Sequence, residues 1–342
     1  MVFRRLLGSL GVGGPTVDTV LAPGPATPGG GVSGEVVLRG GDASFTIEAV
    51  TLELVARVEA ETEDGEHEGF TGFDRATVGG GFELGAGEHR SLPFVLTLPW
   101  ETPVTELYGQ SLGIVLGVRT EVAVAGAKDK GDLDPLTVGP LPAQEAVLEA
   151  FGQLGFGFRS ADLELGRIGG TGQRLPFYQE IELTPPPRYS HTINEIEVTF
   201  LASAAGIEVV LEADKRGGPF RAGDDTLSRF TVSHEDIGRR DWTGEVDGWV
   251  SRLVEHRAAY GDHASYGHDE LYGAHDGGHG HGGHHSGSGI GAGVAGVAGG
   301  AAVGIAGGFV AAEVIDEVGD FFEDDEDGGD GGDGGDGGGD EE

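Results

Sequence analysis

Arg257 is the last basic residue of this 342-residue chain. Everything before it carries all 21 Lys and Arg residues and 39 of the 58 acids, mixed with apolar side chains. The 85 residues after it hold 19 acids and no Lys or Arg. They run as a His/Gly tract, then 27 uncharged residues from Ser286 to Ala312, then an acidic stretch to Glu342. A segment this poor in large apolar residues cannot bury a core, so the folded body must lie in the first 257 positions. With a net charge of −37 the chain repels phosphate, which excludes nucleic acid as a partner. A basic protein or a divalent cation fits the charge instead. Cysteine is absent, so packing alone holds the body together and thiolate chemistry is closed.

Within the body the apolar residues recur with period two. Val50, Leu52, Leu54, Ala56 and Val58 fall on one face of a long strand within 45–58. Leu92–Pro99 and Gly113–Val124 continue the pattern, and glycine-rich turns follow Pro28, Gly40, Gly79 and Gly85. Strands joined in this way make a sandwich. The period changes to 3.6 between Leu141 and Leu154, where Val147, Leu148, Phe151 and Leu154 share a stripe, with Pro142 at the start and Gly155 at the end. This predicts a short hinge helix. Five further strands are expected at 161–168, 177–183, 193–202, 207–213 and 226–232. A helix over 239–257, with Trp242, Val246, Trp249, Val250, Leu253 and Val254 on one side, then closes the second half. The expected fold is all-β, two consecutive β-sandwich domains. The divisions are an N-terminal sandwich over 1–140, a linker helix over 141–155 and a C-terminal sandwich with its terminal helix over 156–258. A His/Gly-rich linker over 259–289, a Gly/Ala-rich helix-capable segment over 290–322 and an acidic disordered tail over 323–342 follow. The first ten residues begin like a signal peptide, but Gly11–Pro15 and Asp18 break the apolar stretch, so an amphipathic helix in a cytoplasmic protein is expected.

A series of motifs narrows the fold further. Phe3-Arg-Arg-Leu-Leu-Gly-Ser-Leu-Gly-Val-Gly is followed by Val17-Asp-Thr-Val and Thr27-Pro-Gly-Gly-Gly-Val-Ser-Gly-Glu-Val. Then come Leu92-Pro-Phe-Val-Leu-Thr-Leu-Pro-Trp-Glu-Thr-Pro, Lys128-Asp-Lys-Gly-Asp-Leu-Asp-Pro-Leu, Gly170-Thr-Gly-Gln-Arg-Leu-Pro-Phe-Tyr-Gln-Glu-Ile and Leu211-Glu-Ala-Asp-Lys-Arg-Gly. In this order they resemble the bacterial sporulation-control protein family, an arrestin-like group, over roughly residues 1–257. The resemblance implies two arrestin-like sandwiches in a cytoplasmic, non-catalytic regulatory or scaffold protein. It implies action by protein–protein interaction, on partners such as cell-division or developmental regulators. It supplies no catalytic residue and no cofactor.

Three segments carry candidate sites. Lys128, Asp129, Lys130, Asp132 and Asp134 mix charges between a strand and the linker, either as a turn stabilised by its own Asp side chains or as a partner-docking loop. In the tail, His279, His281, His284 and His285 have the ligand chemistry for Zn²⁺ or Ni²⁺, against a competing reading as a flexible polar linker. Such binding would tighten as pH rises and the imidazoles lose their protons. Gly296, Gly300, Gly304 and Gly308 recur every four residues in an uncharged run. On a helix they form a flat ridge suited to self-association, against a competing reading as a flexible linker that the eight glycines from Ile290 to Ala312 favour. The run from Ile290 to Ala312 would be about 34 Å long as a helix, enough to contact or cross a membrane, but it lacks flanking positive charge. Two rival functions stay open beside the regulatory one: a metal-binding protein acting through the His tract, and a membrane-associated adaptor.

Overall fold

A computed structural model of the protein describes residues 13–62, 65–215 and 228–265. The candidate ligands His279, His281, His284 and His285, the Gly296–Gly308 ridge, the acidic tail and the N-terminal ten residues all lie outside the described residues.

The first half is two β-sheets face to face. Strands β1 (Thr16–Leu21), β2 (Gly31–Arg39) and β6 (His89–Thr97) make one antiparallel sheet in the order β1-β2-β6. The facing sheet is built on β3 (Phe45–Thr62), which pairs with β4 (Gly65–Gly79), β5 (Phe82–Leu84) and β9 (Leu116–Val124). Strand β10 (Lys130–Pro135) adds to β9 at the edge. A two-residue-per-strand hairpin, β7 (Glu106–Leu107) and β8 (Gln110–Ser111), stands apart. Period two decides what is buried. Val36 and Leu38 of β2 meet Val50, Leu52, Leu54, Ala56 and Val58 of β3 and Val118, Val122 and Val124 of β9 in one core. Within the β1-β2-β6 sheet the neighbours crowd Gly34, where a Cβ would sit 2.5 Å from the Val20 carbonyl oxygen and 2.7 Å from the Phe94 ring.

The second half is an antiparallel sheet: β11 (Gly157–Leu165), β12 (Phe177–Thr184), β13 (Ile193–Ala202), β14 (Gly206–Lys215) and β15 (Ser228–Ser233), in that order. Its inner face is covered by helices. Helix α1 (Pro142–Gln153) opens with Pro142 in its first turn, where a missing N–H costs nothing, and the Leu141 N–H donates to the Gln144 side chain at 2.8 Å. Helix α2 (Trp242–Ser265) begins after Asp241, whose carboxylate accepts the Gly244 N–H at 3.2 Å. That cap explains why the helix starts at Trp242, the first residue of the apolar stripe, rather than at the expected residue 239. Ala143, Val147 and Phe151 of α1 join Trp242, Val246, Trp249, Val250 and Leu253 of α2 against Ile181, Val198, Val209 and Leu211 of the sheet. The Trp249 ring stacks on Phe230 of β15 at 4.6 Å. Besides linking the halves, α1 is thus a core element of the second one.

The halves are fused. Strand β11 runs parallel to β3 at Glu59 and Glu164, so one hydrogen-bonded sheet passes from β10 to β15. Leu163, Leu175 and Phe177 of the second half pack into the first half's core, and Phe177 meets Phe73 edge to face at 5.5 Å. The Val104 N–H donates to Gln179 Oε1 at 2.9 Å, and Gln179 Nε2 donates back to the Val104 carbonyl at 2.8 Å. Glu101 accepts the N–H groups of Arg174 and Leu175 at 2.8–2.9 Å. Among the described residues no helix is long and apolar enough to cross a membrane.

Candidate interaction surface

The strands of the second half alternate so that one face feeds the core and the other gathers acids. In β12, Phe177, Gln179, Ile181 and Leu183 point inward, leaving Tyr178, Glu180 and Glu182 outside. The register then assembles the outer face across four strands. Asp162 lies opposite Glu180, and Glu164 opposite Tyr178. Glu182 lies opposite Glu197, which lies opposite Glu212. Directly opposed side chains in an antiparallel pair have Cβ atoms about 5 Å apart, so like charges there repel. Carboxylate oxygens of Asp162, Glu164 and Glu180 come within 4.8 Å of one another.

The electrostatic cost falls on Glu180. Burial, then the charges of Glu197, Asp162, Glu164 and Glu212, push its carboxyl up to about 9, so it is protonated at neutral pH. Burial, then the charges of Glu180, Glu164, Glu212 and Glu197, raise the Tyr178 hydroxyl as well. One end of the face is compensated. Arg159 pairs with Glu195 and lies 3.4 Å from Glu182, and Ser160 donates to Glu182 at 2.7 Å. At the other end Arg229 approaches Glu208 at 3.8 Å and donates to the Gly170 carbonyl. In their ionised form, acids so spaced on a rigid sheet are acceptors only, suited to guanidinium, ammonium or a hard cation.

The segment 128–134 is divided by its strand. Lys128 and Asp129 are exposed on the turn after β9, where the Asp129 carboxylate accepts the Val124 N–H at 3.2 Å. Lys130 begins β10. Asp132 turns toward the other sheet and accepts the Thr19 N–H at 2.6 Å, tying β10 to the open edge of β1. Nearby, the Thr19 and Thr120 hydroxyls share a buried hydrogen bond of 2.6 Å. Burial raises Asp132. Burial, then the charges of Asp132 and Asp18, pushes Asp134 up to about 8, and its Oδ2 is buried without a hydrogen-bond partner. Only the tip of this segment is therefore free for a partner, while Asp132 and Asp134 belong to the seam between the sheets.

Sequence reasoning missed the acidic face. Its signal was present as acids spaced by two in Asp162/Glu164, Tyr178/Glu180/Glu182 and Glu195/Glu197. What joins them is strand register, which one strand's pattern does not contain.

Comparison with known proteins bears on the whole surface. Residues 3–217 match the family described as SpoOM protein. The sporulation-control protein spo0M of Bacillus subtilis is 34% identical over 220 residues, which cover 64% of this chain and 83% of that relative. The fold is similar to the crystal structure of Spo0M, sporulation control protein, from Bacillus subtilis. That match has a TM-score of 0.62 and 29% identity, over 72% of this chain and all of the other.

Proposed function

The chain belongs to the SpoOM protein family and has its all-β, arrestin-like fold, and from that premise we propose that it is a non-catalytic regulator that captures basic protein partners on its acidic sheet face. Similarity to a sporulation-control protein supports a regulatory role in sporulation. One observation carries the finer reading: Asp162, Glu164 and Glu180 are held together on rigid strands at the cost of keeping Glu180 protonated. Like charges gathered in this way repel one another, and an incoming cation relieves that repulsion. An incoming Lys or Arg favours the ionised form of Glu180, so capture expels a proton and strengthens as pH rises from 6 toward 9.

The test is complementation. Expressed in a Bacillus subtilis strain lacking its own Spo0M, the wild-type chain is expected to restore the parental spore yield. The variant Asp162→Asn/Glu164→Gln/Glu180→Gln keeps the shape of the face and relieves its repulsion. It should fold at least as well and fail to complement. Full complementation by this variant would overturn the acidic-face reading, and failure of the folded wild-type chain would overturn the regulatory one.

A further inference from the structure

The side of α2 turned away from its core carries a different chemistry. Asp241, just before the helix, and Glu245, Gly248 and Arg252 within it follow one another at steps of three and four, so they share one side. Val246, Trp249, Val250 and Leu253 occupy the other. Gly244 and Gly248 stand in the first two turns, although glycine is unfavourable inside a helix. Packing does not demand the second of them, because a Cβ at Gly248 would meet nothing within 4 Å. The bare backbone helps to line an open groove of about 550 Å³, with Arg239 and Arg240 at one end and Arg252 at the other.

The guanidinium groups are held in place. Arg252 lies over the Phe230 ring at 5.3 Å, and that ring is itself stacked on Trp249. Arg240 lies 5.9 Å from the Trp242 ring. The acids in the groove are already engaged. Asp241 accepts the Gly244 N–H, and Glu245 faces Arg240 at 3.9 Å, which also pairs with Asp236 at 3.0 Å. Among the described residues neither Arg239 nor Arg252 has an ion-pair partner. In a chain of net charge −37, exposed arginines left uncompensated on one groove run against the general balance.

We infer that this groove receives the acidic end of the same chain, residues 323–342. Eleven of those twenty residues are acids, five of them consecutive from Glu323 to Asp327. A carboxylate meets a guanidinium through two parallel hydrogen bonds, so a run of acids can engage Arg239 and Arg252 together. A basic segment would be repelled by the same groups. The covalent reach suffices. From Arg252 to Ser265 the helix runs about 20 Å, and the 57 residues between Ser265 and Glu323 exceed that return distance several-fold. Tethering makes the contact intramolecular, which favours the chain's own acids over dilute acidic competitors. This contact goes beyond the acidic face of the second sheet and does not depend on it.

The test uses the full chain and exploits its lack of cysteine. A nitroxide label on Gly329→Cys, beside the acidic run, broadens the amide NMR signals of whatever the tail touches. Gly244 and Gly248 are expected to lose most of their intensity at about 0.1 M salt and to regain it at about 1 M, where the screening length falls from roughly 10 Å to 3 Å. The loss should vanish in Arg239→Gln/Arg252→Gln. It should vanish equally in Glu323→Gln/Asp324→Asn/Asp325→Asn/Glu326→Gln/Asp327→Asn, which leaves the folded body untouched. Sharp signals at Gly244 and Gly248 in the labelled wild-type chain would overturn the proposal, as would broadening that survives either set of substitutions. A mixture of labelled chains with isotope-enriched unlabelled ones should show no broadening; broadening there would assign the groove to a second copy and overturn the intramolecular contact.

Discussion

Asp134 is the residue where structure and solution conditions meet most directly. Its carboxyl is raised to about 8 by burial first and by Asp132 and Asp18 next. In the unfolded chain it titrates near 4. Between those values the folded state holds a proton that the unfolded state releases, so stability falls as pH rises through this window and the loss is complete above about 8. Asp132 is raised in the same direction and Glu180 to about 9, so the window extends to alkaline pH. Glu88, lowered mainly by its bond from the Gly85 N–H, acts oppositely and only near and below its ordinary acid range. Asp134→Asn is expected to stabilise the protein by about 1–2 kcal/mol at pH 8–9, after discounting for partial exposure, and by almost nothing at pH 4. Urea denaturation at the two pH values checks this, and an equal effect at both would refute the assignment.

At the scale of elements, the helix layer over β12–β14 is decisive for the second half. Phe151 of α1 and Trp249 of α2 are 1% and 3% exposed, so neither can shed its cavity to solvent. Truncation of Phe151 or Trp249 to Ala should each cost about 3–5 kcal/mol, read by chemical denaturation with the midpoint shifted and the slope unchanged. Both helices were legible in the sequence because a stripe of period 3.6 is a local signal. So were β3, β12, β13 and β14, whose apolar residues recur with period two, although of these four only β12 alternates in burial without a break. Strand β4 was not. Its sequence, Gly-Glu-His-Glu-Gly-Phe-Thr-Gly-Phe-Asp-Arg-Ala-Thr-Val-Gly, has four glycines and no sustained alternation. Pairing along the length of β3, through two bulges, makes it a strand. The candidate surfaces were hidden for the same reason. Asp162, Glu180, Glu197 and Glu212 are spread over 51 positions and meet only by register.

For the whole molecule, the governing fact is that the two cores share a strand. Phe177 and Gln179 of β12 work inside the first half, and Leu183, two turns of the pleat further on, works inside the second. Such coupling should give one calorimetric transition for the body, with the calorimetric and van't Hoff enthalpies equal. Two resolved transitions would show the seam to be weaker than its contacts imply. The same sharing sets where the polypeptide tolerates scissors. A fragment ending at the connection near residue 140 would lose the plug that Leu175 and Phe177 supply and leave Phe73 and the Val104 backbone facing water. It should come out of expression as insoluble aggregate. A cut beyond Ser265 severs none of these links and should leave a soluble, crystallisable body.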